Sequence, residues 1–124
     1  MSKILIVEDE KNIRLSINML LKEKGYEVYE VDNGIDAIKA AQEKMPDLVL
    51  LDILIPKMDG YMVCEALKKN PQTKKIPVIF MSARTQEKDL NQARVAGGND
   101  FIMKPFKSEE LLSCVKKNIG RNEK

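Results

Sequence analysis

Five short apolar segments are spaced along the chain, and each is followed by a stretch in which apolar residues return with helical spacing. Three of the five are unbroken four-residue runs, which are typical of strands covered by helices on both faces of a parallel sheet. Another segment alternates apolar and polar residues, so we predict that it lies nearer an edge of the sheet. The predicted strands cover residues 4–7, 26–31, 48–51, 78–81 and 100–103.

The stretches between these strands have the spacing of amphipathic helices. Ile13, Ile17 and Leu21, for example, fall on one face of the first predicted helix. Short connections between alternating strands and helices require right-handed crossovers, which predicts an α/β fold with one parallel sheet and helices on both faces. Residues suited to turns, helix starts and helix ends set the expected boundaries. These are Gly25, Asp32 or Asn33, Gly60 or Tyr61, Gly97–Gly98, Ser108 as a cap and Gly120 as a stop.

The composition is that of a soluble globular domain. The 124 residues are 44% hydrophobic and 32% charged, with 21 basic and 19 acidic residues. This near balance gives no reason to expect binding to nucleic acid or to a membrane. We interpret the densest basic group as a solvated helix end and loop, namely Lys68, Lys69, Lys74 and Lys75. We expect one domain over residues 1–120, followed by a polar tail over residues 121–124.

No segment suggests a membrane span or an export signal. The apolar runs are far shorter than the roughly 20 residues that a spanning helix requires, and the N-terminal segment turns acidic at Glu8. We therefore expect a cytoplasmic protein in which Cys64 and Cys114 are reduced packing residues. The chain contains no histidine, which excludes Ser-His-Asp and Cys-His nucleophiles, most zinc sites and a role as a phosphohistidine carrier.

Polar residues of different kinds follow four of the five predicted strands. Glu8 and Asp9 follow the first strand, Asp52 the third, Ser82 the fourth and Lys104 the fifth. The carboxyl ends of parallel strands share one edge of the sheet, so we expect these side chains to meet there. Taken singly, each has an ordinary explanation as a helix cap, a strand-end hydroxyl or a solvated charge.

Three carboxylates at one edge raise one another's pKa unless positive charge compensates them. A hard divalent cation with oxygen ligands, together with one lysine, would compensate them, and Mg²⁺ suits such a site because it also accepts phosphate oxygens. The loop after Asp52 is stiff, since Pro56 fixes its own φ and Gly60 permits a turn before the next helix. The sequence therefore predicts a magnesium site built around Asp52.

These motifs resemble those of the response-regulator receiver domain, the CheY-like family, over essentially the whole chain. The segments that carry the resemblance are Glu8-Asp9, Asp52 with Pro56 and Met58-Asp59-Gly60, Ser82-Ala83 and Lys104-Pro105-Phe106. The resemblance implies a (βα)5 doubly wound, flavodoxin-like fold with strand order 2-1-3-4-5. It also implies that Asp52 is the phosphoacceptor and that Mg²⁺ is held by Glu8, Asp9, Asp52 and the backbone carbonyl of Leu54.

The resemblance further assigns a switch. Ser82 matches the switch hydroxyl, Phe101 the switch aromatic and Lys104 the lysine that contacts the phosphoryl group. The Lys104–Pro105 peptide bond matches a cis bond of the family, and residues 86–119 match its output face. The implied partners are a sensor histidine kinase or phosphotransfer protein, a downstream effector and, after phosphorylation, a second copy of the chain. The implied chemistry is limited to the chain's own phosphorylation and dephosphorylation.

Rival functions fit less well. A haloacid-dehalogenase-type phosphatase needs a second acid two residues after the nucleophile, where this chain has Leu54. A flavodoxin-like flavin carrier needs a phosphate loop where this chain has Glu8-Asp9-Glu10, which would repel phosphate. A degenerate receiver that acts as an unphosphorylated protein-interaction module remains the alternative.

The sequence departs from the family pattern in a few places. Glu8 is longer than the usual aspartate, and Phe101 lacks the hydroxyl of a tyrosine. The turn at Gly97-Gly98-Asn99 is expected to be looser than usual. We also hypothesise that Leu54 and Arg84 obstruct water near Asp52 and lengthen the lifetime of the phosphoryl group.

Overall fold

The chain folds into five strands that alternate with five helices. The computed structural model describes residues 1–83 and 86–122. The strands are β1 (Lys3–Val7), β2 (Glu27–Val31), β3 (Leu48–Asp52), β4 (Val78–Ser82) and β5 (Asp100–Met103). The helices are α1 (Lys11–Glu23), α2 (Gly34–Lys44), α3 (Gly60–Lys69), α4 (Glu87–Val95) and α5 (Ser108–Asn122).

The five strands form one parallel sheet in the order β2-β1-β3-β4-β5, which confirms the predicted order. The alternating strand, β2, lies at an edge as predicted. The register brings the strand ends level with one another, because Asp52 at the end of β3 lies opposite Met81 and Ser82 at the end of β4 lies opposite Met103. The polar residues that follow the strands therefore reach the same edge of the sheet.

Successive residues of the central strands enter two different cores. Val49 and Leu51 of β3 belong to the core beneath α2, α3 and α4, whereas Leu48 and Leu50 belong to the core beneath α1 and α5. All four side chains are completely buried. This burial on both faces explains the lack of alternation in the sequence, and it makes β3 a rigid support for Asp52 at its end.

Several predicted boundaries are correct. The side chain of Asn33, not that of Asp32, caps α2 by accepting a hydrogen bond from the backbone N–H of Asp36 at 2.9 Å. Gly25 follows α1 in the left-handed region with a φ of 92°, which is the conformation that favours glycine at a helix end. Helix α3 begins at Gly60, after an Asp59 cap that accepts from the N–H of Met62 at 2.9 Å.

Both predicted boundaries of the last helix are wrong. The carbonyl of Lys107 accepts the first helical hydrogen bond, from the N–H of Leu111 at 3.2 Å, so Ser108 is the first helical residue and not the cap. The helix continues through Gly120 to Asn122. Gly120 does not adopt a positive φ, and without that turn a glycine does not end a helix.

The turn between α4 and β5 is held more firmly than its glycines suggest. The side-chain oxygen of Asn99 accepts from the N–H of Val78 at 2.9 Å and from the ammonium of Lys68 at 3.0 Å. The same ammonium donates to the carbonyl of Ile76 at 2.7 Å. The interpretation of Lys68 as a solvated surface charge is therefore wrong, because its ammonium is bonded to these acceptors and burial lowers its pKa. That the turn is looser than usual for the family stays a prediction.

Candidate functional site

Three carboxyl groups meet at the carboxyl edge of the sheet. Glu8 follows β1 directly, Asp9 is the next residue, and Asp52 ends β3. One oxygen atom from each of the three lies within 4.8 Å of the others. Glu8 and Asp52 are buried, whereas Asp9 is exposed. The predicted meeting of these three residues is confirmed, and the cluster opens to solvent on the side of Asp9.

Close backbone packing fixes the position of Asp52. A Cβ atom on Gly60 would lie 2.5 Å from the carbonyl oxygen of Asp52, so only glycine lets α3 approach the end of β3 this closely. The N–H of Gly60 donates to the carbonyl of Ile53 at 2.8 Å, and the N–H of Leu54 donates to Oδ1 of Asp52 at 3.4 Å. The phosphoacceptor candidate therefore has a fixed backbone and a partly oriented carboxylate.

Lys104 joins two of the carboxylates. Its Nζ donates to Oδ2 of Asp52 at 3.0 Å and also to Oε1 of Glu8. Its backbone N–H donates to the carbonyl of Ser82 at 2.8 Å, which attaches the residue to β4. The predicted cis peptide bond between Lys104 and Pro105 is confirmed.

The electrostatics of the cluster reflect burial and mutual charge. Burial is the main cause that raises the pKa of Glu8, and the charge of Asp52 adds to it, while the hydrogen bond from Lys104 opposes both. Burial alone would lower the pKa of Lys104, but its hydrogen bonds to Glu8 and Asp52 outweigh that effect and raise it. Lys104 is therefore a protonated counter-charge at neutral pH, and it is a single cation beside three carboxyl groups.

The donor set suits a hard cation. All three side chains offer carboxylate oxygens, which are the ligands that Mg²⁺ prefers, and Asp9 is accessible from solvent. The side chain of Leu54 is 56% exposed at the rim, and the role of its carbonyl as a ligand stays a prediction. Arg84, which we expected to flank the site, lies outside the described residues.

Ser82 and Phe101 lie on the neighbouring strands β4 and β5. Ser82 ends β4 and is buried. Phe101 of β5 is half-buried, lies opposite Phe80 of β4 and packs against the core beneath α2, α3 and α4. A cavity of about 300 Å³ between α4 and β5 borders Phe101, with Leu90 on its opposite wall. Phe101 therefore lies beside α4, and the switch roles of Ser82 and Phe101 stay predictions.

The family can be assigned from the sequence. The profile of the family described as "Response regulator receiver domain" matches residues 4–116, which include every residue of the acidic cluster and Lys104. This chain belongs to the response-regulator receiver family. Receiver domains are signalling switches of two-component systems rather than conventional enzymes, and they bind Mg²⁺ at an acidic pocket.

Similar proteins support this assignment. The receiver domain is 33% identical to protein PilG from Pseudomonas aeruginosa over 94% of this chain and 87% of PilG. It is 34% identical to the phosphate regulon transcriptional regulatory protein PhoB from Rhizobium meliloti, over 96% of this chain but only 52% of PhoB. The chain thus spans about half the length of that relative.

A solved structure that shares the fold contains magnesium. The receiver domain of the sensor histidine kinase PA1611 from P. aeruginosa superimposes with a TM-score of 0.90, at 32% identity over 96% of this chain and 98% of that one. That structure has a magnesium ion coordinated in its active-site cleft. In the described part of this receiver domain, none of the helices has the length and apolar character needed to cross a membrane.

Sequence reasoning missed one residue next to the site. Arg14 of α1 donates from Nη1 to the backbone carbonyl of Glu8 at 2.9 Å and from Nε to Oε1 of Glu30 at 2.9 Å. Its position on α1 predicts only a surface charge. The contact between Arg14 and Glu30 can be inferred only when the sheet order is known, because β2 then lies beside β1 and Glu30 lies near the end of β1.

Proposed function

We propose that this receiver domain is a phosphoacceptor switch in which Asp52 takes a phosphoryl group from a histidine kinase or phosphotransfer protein. The observation that supports this most directly is the position of Asp52, whose Oδ2 lies 3.0 Å from the Lys104 ammonium within the acidic cluster. A carboxylate nucleophile, a fixed cation and a site for a divalent ion are the parts that such a transfer requires.

Asp52 supplies the nucleophile. One of its carboxylate oxygens attacks the phosphorus of a phosphohistidine in line, the new P–O bond forms as the P–N bond breaks, and the imidazole leaves with the donor protein. The Lys104 ammonium lies next to Oδ2, where it can stabilise the negative charge on the equatorial phosphoryl oxygens. Glu8, Asp9, Asp52 and the Leu54 carbonyl would hold Mg²⁺, which supplies further charge neutralisation at those oxygens.

The product changes the charge balance around Ser82. A phosphorylated side chain carries roughly 1.5 to 2 negative charges. This charge attracts the Ser82 hydroxyl, which would move towards Asp52 and donate a hydrogen bond to a phosphoryl oxygen. The cavity of about 300 Å³ beside Phe101 gives that ring and α4 room to rearrange. We propose that phosphorylation thereby shifts the equilibrium between two arrangements of α4, β5 and α5.

Two surfaces are proposed for the two kinds of partner. The donor would approach over a mostly apolar groove of about 390 Å³ that borders Lys104, between α1 and the loop that precedes α5. The effector, or a second copy of the chain, would bind the face formed by α4, β5 and α5, where Val95 and Met103 are 84% and 55% exposed. We propose that these contacts occur in the cytoplasm and involve no nucleic acid.

The alternative is a degenerate receiver that binds a partner without being phosphorylated. Incubation with acetyl phosphate and Mg²⁺, followed by intact mass spectrometry, separates the two functions. We expect one Mg²⁺-dependent phosphoryl adduct that is lost in Asp52→Ala and kept in Asp32→Asn, which removes an exposed carboxylate after β2. The decay of the adduct then measures the lifetime that the hypothesis on Leu54 and Arg84 concerns. Mg²⁺ binding without any adduct, from either acetyl phosphate or a histidine phosphodonor protein, would favour the degenerate receiver.

A further inference from the structure

We propose that Arg14 is a positioning residue that holds the loop carrying Glu8 and Asp9 in the geometry needed for Mg²⁺ binding. This inference rests on the proposed function, because it concerns the same acidic cluster. Arg14 itself contributes no ligand, and its role is exerted through the backbone of Glu8.

The guanidinium group of Arg14 connects three elements. From α1, Nη1 donates to the carbonyl oxygen of Glu8 at the end of β1, and Nε donates to the carboxylate of Glu30 on β2, each at 2.9 Å. Only 18% of the Arg14 side chain is exposed. A planar guanidinium that donates to two acceptors fixes the direction of each hydrogen bond as well as its length, which a lysine ammonium cannot do.

The peptide group that Arg14 holds is the one between Glu8 and Asp9. Because a peptide unit is planar, fixing the carbonyl of Glu8 also fixes the N–H and the Cα of Asp9. The N–H of Glu8 donates to the carbonyl of Val31 at 3.2 Å. Both backbone groups of Glu8 are therefore bonded, and the direction in which Asp9 leaves β1 is set by Arg14.

Arg14 is itself held in place. The second carboxylate oxygen of Glu30 accepts a hydrogen bond from the side-chain amide of Asn18, which is buried on α1. The backbone N–H of Arg14 donates to the carbonyl of Glu10 at 3.0 Å. Glu30 is thus oriented from one side by Asn18 and from the other by Arg14, so the guanidinium is oriented before any cation binds.

The charge of Arg14 and its positioning role predict opposite effects on Mg²⁺ affinity. Arg14 places a positive charge beside a cation-binding cluster, so its removal would strengthen Mg²⁺ binding if only Coulomb attraction and repulsion acted. If Arg14 positions the loop, its removal weakens binding despite that advantage. The sign of the change in Mg²⁺ affinity therefore distinguishes the two roles.

The test compares Arg14→Gln and Arg14→Lys with Lys11→Gln, which removes one charge from the same end of α1 at an exposed position. Mg²⁺ affinity is measured by isothermal titration calorimetry in the absence of any phosphoryl donor. We expect binding about tenfold weaker in both Arg14 variants, as is usual when a group that orients metal ligands is lost. Lys11→Gln should bind as tightly as the wild type or slightly more tightly.

A second readout uses the metal-free protein. Amide hydrogen exchange at residues 8–10 should be faster in both Arg14 variants than in the wild type, because the carbonyl of Glu8 loses its hydrogen bond from Arg14. Exchange should be unchanged in Lys11→Gln. Arg14→Lys keeps the charge, so it decides the outcome if Arg14→Gln does not fold. Affinity equal to or above that of the wild type in the folded Arg14 variants, or unchanged exchange at residues 8–10, overturns the inference.

The outcomes separate this inference from the proposed function. If the wild type binds Mg²⁺ and the Arg14 variants bind it more weakly, the positioning role stands even if Asp52 accepts no phosphoryl group. If the wild type binds no Mg²⁺, the positioning role is overturned together with the metal site.

Discussion

The substitution Lys104→Met removes an ammonium group that contacts both Glu8 and Asp52 while it keeps a similar apolar stem. The two carboxylates are 1% and 7% exposed, so water cannot replace the lost charge. We therefore expect the variant to be less stable at pH 7, since removing one partner of a buried ion pair leaves an uncompensated charge.

Protonation limits the size of this loss. Protonation of Glu8 relieves the repulsion between the two carboxyl groups, and a glutamate of ordinary pKa 4.5 can be kept protonated at pH 7. This costs about 1.4 kcal/mol for each of about 2.5 pH units. The loss of unfolding free energy is then at most about 3.5 kcal/mol, or roughly 10–15 °C in Tm for a chain of this size.

The pH dependence follows from the same reasoning. Lys104 lowers the pKa of Glu8 in the wild type, so the pKa of Glu8 in the folded variant rises further above 4.5. Below about pH 4.5 this glutamate is protonated in both the folded and the unfolded chain, and the penalty disappears. The difference in stability between wild type and variant should therefore be small at about pH 4.5 and grow towards pH 7.

Urea denaturation across this pH range measures the effect, and Lys107→Met, which removes an exposed lysine three residues away, is the control. Mg²⁺ should raise the Tm of Lys104→Met more than that of the wild type, because a bound cation replaces the missing charge. A variant as stable as the wild type at pH 7, or a difference that does not shrink at about pH 4.5, would refute the reasoning.

Two further predictions concern packing and a half-buried carboxylate. Gly60→Ala should lower the free energy of unfolding by about 1–3 kcal/mol and slow the proposed phosphorylation of Asp52, because the new Cβ would lie 2.5 Å from the carbonyl oxygen of Asp52. Urea denaturation measures the loss of stability. The control Gly120→Ala should show no loss, because nothing lies within 4 Å of the added Cβ. Burial would raise the pKa of Asp100, but hydrogen bonds, among them one from Asn118 at 3.0 Å, outweigh it and lower the pKa. The stability gained from Asp100 is therefore present above pH 3.8 and lost as the pH falls through its lowered pKa. Asn118→Leu should be less stable than the wild type by about 2 kcal/mol at pH 7. The difference in stability should shrink at about pH 3, and a difference at pH 3 equal to that at pH 7 would contradict the role given to Asp100.

The sequence predicts the sheet well because its strongest signal is burial. Residues Leu48 to Leu51 are apolar without a break since β3 has one core on each face, and the unbroken runs of β1 and β4 have the same cause. The acidic cluster was also predictable, because parallel strands bring their carboxyl ends to one edge.

Contacts between distant side chains could not be predicted in this way. The pairing of Arg14 with Glu30 depends on β2 lying beside β1, and that of Lys68 with Asn99 depends on the path of the chain between α3 and β5. Both lysine and arginine are ordinary surface residues in the sequence. Only the fold shows that these two have acceptors within 3.0 Å.

The charge balance at the carboxyl edge also explains why phosphorylation and cation binding should depend on each other. Lys104 now serves both Glu8 and Asp52. A phosphoryl group on Asp52 adds negative charge and would draw the ammonium away from the buried carboxylate of Glu8. Among the described residues, no other cationic side chain bonds to that carboxylate. Glu8 would then need either a proton or a divalent cation. Because linkage is reciprocal, a cation held by Glu8 and Asp9 would favour the proposed phosphorylation of Asp52 to the same extent that phosphorylation would tighten the binding of the cation.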